Sequence, residues 1–159
     1  MKLLLEIKAE LENITSLEPL DNNFTFFFQV QCTSCREVHP GWVTVNRHEQ
    51  VELSGSKGAT AHFVWRCKFC KRESSAKFVE AYPFRSYESE NAQFEPLLQI
   101  ECRGLEFVGF DPRGIWKCKG TTGTVFPEVD LTEGEWNDYD EKAALPVSVS
   151  DIESRWGKA

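Results

Sequence analysis

The sequence predicts an all-β protein built of two similar antiparallel β units. They pack together with a pseudo-twofold relation, paired-cysteine turns occur in the first half only, and helices are few and short. Three observations predict this. Apolar residues alternate along Leu3, Leu5, Ile7, Ala9 and Leu11, and again along Phe24, Phe26, Phe28 and Val30, which is the period of a half-buried strand. Two Cys-x-x-Cys pairs follow β-rich runs. Leu4-Leu5-Glu6-Ile7 resembles Leu97-Leu98-Gln99-Ile100 at an offset of 93 residues.

In chain order, the first strand runs from Leu3 to Leu11 and the second from Phe24 to Cys32, with the turn signal Asp21-Asn22-Asn23 before it. β-rich runs follow at Trp42–Val45, Val51–Leu53, His62–Arg66 and Ala76–Tyr82, separated by Pro40-Gly41 and by Ser54-Gly55-Ser56-Lys57-Gly58. The helical candidates are Ser86–Phe94 and Asp151–Trp156. The resemblance at offset 93 continues, with Leu11-Glu12 against Leu105-Glu106 and Leu17-Glu18-Pro19 against Phe110-Asp111-Pro112. It divides the chain into a half of residues 1–90, carrying both cysteine pairs, and a related half of residues 91–159 without a metal site.

The 159 residues, 41% apolar and 13% aromatic, are enough to bury a core against chain entropy. A net charge of -7 argues against a polyanion partner, so nucleic acid is not expected. The acidity lies in the second half, which has 13 acidic and 7 basic residues. Met1–Leu11 is interrupted by Glu6, Lys8 and Glu10, unlike a signal peptide, and no segment approaches a membrane span. With six cysteines and no export signal, the expected setting is the cytoplasm, where thiols serve metal or redox chemistry.

Cys32-Thr33-Ser34-Cys35 and Cys67-Lys68-Phe69-Cys70 are two such turns. Two residues between thiolates let both face inward from one tight turn, a zinc knuckle, and two knuckles complete a tetrahedron. The expectation is one zinc ion held by Cys32, Cys35, Cys67 and Cys70. A full thiolate shell leaves no coordination position for substrate, so the zinc reads as structural and no catalytic residue is assigned. A thioredoxin-like reading wants one such pair opening a helix in a βαβ unit, which is missing here. His39, four residues after Cys35, is a competing ligand only in principle; His48 and His62 read as packing or solvent residues.

These words together resemble a family. Leu11-Glu12-Asn13-Ile14, Cys32-Thr33-Ser34-Cys35, Gly55-Ser56-Lys57-Gly58-Ala59, Cys67–Glu73, Glu101–Glu106 and Trp136–Lys142 are similar, nearly end to end, to the eukaryotic CXXC-motif-containing zinc-binding protein family. The resemblance implies an all-β, two-lobed protein with one zinc on those four cysteines and no established enzymatic activity. Lys57 stands where that family's loop is expected to carry arginine, which weakens any reading of the loop as a carboxylate clamp.

Several features keep two readings. Ser54–Ala59 is a hairpin turn or an anion-binding loop. Arg66, Lys68, Lys71 and Arg72 offset the charge of a zinc tetrathiolate, or mark a contact to RNA or an acidic protein. Residues 128–141 hold seven acids with Trp136 and Tyr139 among them; one helical turn would pack both aromatics inward, or they dock a basic partner. Cys102 and Cys118 read as buried apolar residues, with a reactive thiol as the alternative. The expectation is a monomeric, non-enzymatic zinc protein that binds another protein. Its rivals are a thiol oxidoreductase with reactive Cys102 and an RNA-binding zinc module.

Overall fold

Alternating burial marks strand after strand. The computed structural model describes residues 1–55 and 58–159, and every regular element among them is a strand. In chain order these are β1 (Lys2–Glu12), β2 (Ile14–Pro19), β3 (Thr25–Cys32), β4 (Val43–Asn46), β5 (Val51–Glu52), β6 (Thr60–Ala61) and β7 (Phe63–Arg66). The chain continues with β8 (Glu73–Phe78), β9 (Glu95–Arg103), β10 (Leu105–Asp111), β11 (Ile115–Gly120), β12 (Val125–Asp130), β13 (Trp136–Asp140) and β14 (Leu145–Lys158).

A six-stranded sheet has the order β13-β14-β1-β9-β8-β7, and two three-stranded sheets have the orders β10-β3-β4 and β12-β11-β2. The order is symmetric about the antiparallel β1–β9 pair, where Leu5 faces Leu98. Outward from that pair, β14 and β13 on one side match β8 and β7 on the other. The smaller sheets match too, because β10 joins β3 as β2 joins β11. Each of these three sheets takes strands from both 1–90 and 91–159, so the halves interlock. The connections at the centre agree: one residue with positive φ separates β1 from β2, Asn13 at 56°, and β9 from β10, Gly104 at 84°.

One apolar core lies between the sheets. Leu5, Ile7, Phe26, Phe28, Leu98 and Ile100 are all buried, each large side chain contributing about 2 kcal/mol by leaving water. Phe28 stacks on Phe26 at 5.5 Å between centroids and meets Phe107 at 4.8 Å and Trp156 at 4.9 Å. The alternation read along β1 and β3 is therefore the core face.

Two helix expectations are overturned. Asp151–Trp156 belongs to β14, paired with β1 from Leu3↔Lys158 to Glu12↔Ser148. Its exposed Asp151, Glu153 and Arg155 alternate with half-buried Ile152, Ser154 and Trp156, a period of two that the i, i+4 spacing of Ile152 and Trp156 imitates. Residues 86–94 form no helix, because Tyr87 is tied into the fold instead. It bridges to Leu17, and its hydroxyl donates to the Gln93 and Ala9 carbonyls at 2.7 and 3.2 Å. Glu52 pairs with Thr60 on the flanks of the turn expected at Ser54–Gly58; Ser56 and Lys57, and with them that turn's tip and any anion-binding role of the loop, lie outside the described residues.

Candidate metal centre

Each cysteine pair sits where a strand ends. β3 delivers Cys32 buried, and its chain turns back at once: the Arg36 N–H donates to the Cys32 carbonyl at 3.0 Å, with Arg36 at φ 67°. The β7–β8 connection repeats this, Lys71 N–H donating to the Cys67 carbonyl at 3.0 Å with Lys71 at φ 65°. In both turns a left-handed residue directly after the second cysteine reverses the chain. Glu106 pairs with Arg36 at 3.5 Å, and Arg72 donates to the Ser34 hydroxyl at 3.2 Å across the two turns.

The four sulfurs converge within 4.8 Å of one another. Cys32 and Cys70 lie 3.6 Å apart, as do Cys35 and Cys67. A tetrahedron with zinc–sulfur bonds of about 2.3 Å has edges of about 3.8 Å, so the donor set fits zinc. Backbone amides prepare the sulfurs for it. The Cys35 and Ser34 N–H groups stabilise the Cys32 thiolate and bring its pKa down to about 7, against the opposing effect of burial. The Cys70 and Phe69 N–H groups lower Cys67 in the same way. Cys35, although the Glu37 N–H favours its thiolate, is pushed up to about 11 by desolvation and by the neighbouring sulfurs. A cation at the centre removes that conflict, and four thiolates around zinc leave no position for water.

The sequence profile of the eukaryotic CXXC motif containing zinc binding proteins matches residues 4–157. The chain belongs to this family. The CXXC motif containing zinc binding protein of Xenopus laevis is 38% identical, with 99% of each chain covered. That of Homo sapiens is 35% identical, over 99% of this chain and 98% of the other. Among solved structures, the crystal structure of C1orf123 superposes with a TM-score of 0.91 at 35% identity over 100% of both chains. A hypothetical protein from Plasmodium falciparum gives 0.85 at 25% identity over 99% of both. Membership in a zinc-binding family and the gathered cysteines agree on one zinc, with Cys32, Cys35, Cys67 and Cys70 as the ligands this family member offers.

Elsewhere in this zinc-protein fold, one turn of the C-terminal half has the backbone pattern of the second cysteine turn without its cysteines. Asp140 ends β13, the connection to β14 is Glu141-Lys142-Ala143-Ala144, and Ala144 has φ 56°. Asp140 Oδ1 accepts from the Lys142 and Ala143 N–H groups at 3.1 and 3.2 Å. Phe69 and Cys70 N–H groups serve Cys67 at the same two positions. Asp140 thus occupies the place of Cys67, Ala143 that of Cys70 and Ala144 that of Lys71. Gly120, at the end of β11 as Cys32 is at the end of β3, lies against the carboxylate. One buried carboxylate stands where the other half gathers four thiolates.

The remaining candidates disperse. His39 packs on Trp65 at 6.2 Å between centroids and does not join the four converging sulfurs; His48 is exposed. His62 is buried, its Nδ1 accepting from the Phe78 N–H at 2.9 Å. Cys102 and Cys118 are buried, and desolvation pushes each thiol up to about 12. Trp136 and Tyr139 do not pack inward together, because β13 is a strand and an odd spacing sends them to opposite faces. Trp136 meets Phe126 at 5.4 Å, while Tyr139 is exposed. Two residues escaped sequence reasoning. Asp140 was one acid in a run, and only the fold places it at a knuckle position. Phe69 had a signal, an apolar residue between basic ones at the tip of a metal turn.

Proposed function

We propose that the chain is a non-enzymatic, cytoplasmic protein-binding module whose single zinc is structural. The observation that carries this reading is the closed thiolate shell: four sulfurs from two turns, each already stabilised or crowded by its neighbours, with the tetrahedron filled. Zinc there joins the end of β3 to the β7–β8 connection, positions 32 and 67 being far apart in sequence, so binding closes a long loop and adds its free energy to folding. The surface it fixes includes Phe69, 70% exposed, which contributes to no core and is available to a partner.

The thiol-oxidoreductase alternative is weakened by Cys102, which is 2% exposed with its thiol pushed up to about 12; a nucleophile needs an accessible, low-pKa thiolate. Metal analysis combined with thermal melting tests the structural reading. One zinc per chain is expected, and chelation lowers the melting temperature. Unchanged fold and stability after complete zinc removal overturns it.

A further inference from the structure

We propose that the second knuckle, residues 66–73, is a docking site for an acidic segment of another protein, with Phe69 as its apolar anchor. This rests on the protein-binding reading above and says where and to what chemistry the module binds.

Phe69 is the most exposed large apolar side chain among the described residues, at 70%. It lies on the two-residue bridge between Cys67 and Cys70, so the metal that binds those sulfurs also fixes the backbone that presents the ring. A rigid, solvent-facing aromatic loses little entropy on binding and gains the burial it lacks in the free chain.

The charge around it is opposite to that of the rest of the molecule. Residues 32–37 and 66–73 carry Arg36, Arg66, Lys68, Lys71 and Arg72 against Glu37 and Glu73, whereas the remaining chain has 13 basic and 23 acidic residues. Neutralising the zinc tetrathiolate accounts for part of this, but it does not account for the exposed ring. Arg66 is engaged by the Lys71 carbonyl at 2.7 Å and Arg72 by Ser34. Lys68 and Lys71 are exposed and make no ion pair among the described residues. Two exposed lysines therefore stand one and two residues from Phe69 along the chain.

An acidic segment is attracted to this tip and repelled by the rest of the surface, which fixes its position. A nucleic acid long enough to bind tightly would run from the tip onto that acidic surface, and one exposed ring stacks one base. The acidic run 128–141 of a second copy is complementary in charge, but tip-to-run contact is head-to-tail and does not close a dimer.

The test is site-specific photo-crosslinking of the full chain in cells with Phe69→p-benzoylphenylalanine, with the same label at Tyr139 as a second position. Zinc content and melting temperature confirm that each variant is folded. The expected result is an adduct at 69 to a discrete protein, mapped to an acid-rich peptide, whose yield falls at least about tenfold in the Lys68→Glu/Lys71→Glu background. Adducts to RNA, to a second copy or to a non-acidic peptide overturn the proposal, as does a yield unaffected by charge reversal. A discrete adduct at 139 with none at 69 overturns this site while leaving the protein-binding reading standing; no adduct at either position overturns both.

Discussion

Asp140 is packed against Gly120 so closely that a methyl group on Gly120 would collide with the carboxylate. This close approach, with the Thr124 hydroxyl bonded to Asp140, brings the two C-terminal turns together, where zinc would join Cys32 and Cys67 in the N-terminal half. Asp140 Oδ1 accepts from the Thr124 hydroxyl at 2.9 Å and from two backbone amides, while Oδ2 is buried without a partner. Asp140→Ala leaves three donors unserved and is expected to cost about 2 kcal/mol. Gly120→Ala, which drives a methyl group into the buried Asp140 carboxylate, should cost about 1–3 kcal/mol. Denaturant unfolding measures both, and zinc content should stay at one per chain in each variant.

Zinc removal should act on one pair of turns and spare the other. In the metal-free protein the Ser34, Cys35, Phe69 and Cys70 amides, which point at sulfurs, exchange with solvent faster. The Lys142 and Ala143 amides keep their protection, because a carboxylate holds them. Hydrogen exchange before and after chelation reads this directly; equal deprotection of both turn pairs contradicts it.

Cys67→Ser should abolish tight zinc binding, since a hydroxyl does not supply the thiolate the tetrahedron needs. In the parent protein, zinc is released as pH falls, because protons compete for the sulfurs. Metal retained after gel filtration across an acid series checks the direction.

Cys102 and Cys118 should resist alkylation in the folded protein. With each thiol pushed up to about 12 by burial, the thiolate is scarce and the sulfur inaccessible. Labelling at either position should therefore follow the rate of unfolding, as mass spectrometry of timed iodoacetamide reactions would show.

His62 sets a pH dependence of stability. Burial, followed by repulsion from Arg47 and Lys77, lowers its pKa below the ordinary 6.5. The unfolded chain then binds the proton more readily, so this contribution is present above pH 6.5 and is lost as pH falls toward the lower folded value. His62→Asn keeps an acceptor for the Phe78 N–H and removes the titration. Its stability should decline less steeply below pH 6.5, measured by urea unfolding with zinc content monitored in parallel.

Much of this is legible in the sequence. Leu3 to Leu11 and Phe24 to Val30 alternate because one face is core and the other solvent, and the structure buries Leu3, Leu5, Ile7 and Ala9 on one face of β1 and Phe26, Phe28 and Val30 on one face of β3. Residues 86–94 and 151–156 misled because short mixed segments satisfy both periods, and pairing with β1 or the anchoring of Tyr87 decides between them. The acidic run hid Asp140, since composition does not say which of seven carboxylates is buried.

The sequence by itself determined the class of fold, the family and the metal donors, because alternation and Cys-x-x-Cys spacing encode geometry within a few residues of chain. Only the tertiary structure decided that Cys32 and Cys35 meet Cys67 and Cys70 while Gly120 meets Asp140. Those encounters depend on β3 pairing with β10, β2 with β11, and β1 with β9. Such contacts are chosen by the burial of a shared core, a property of the whole chain that no single segment carries.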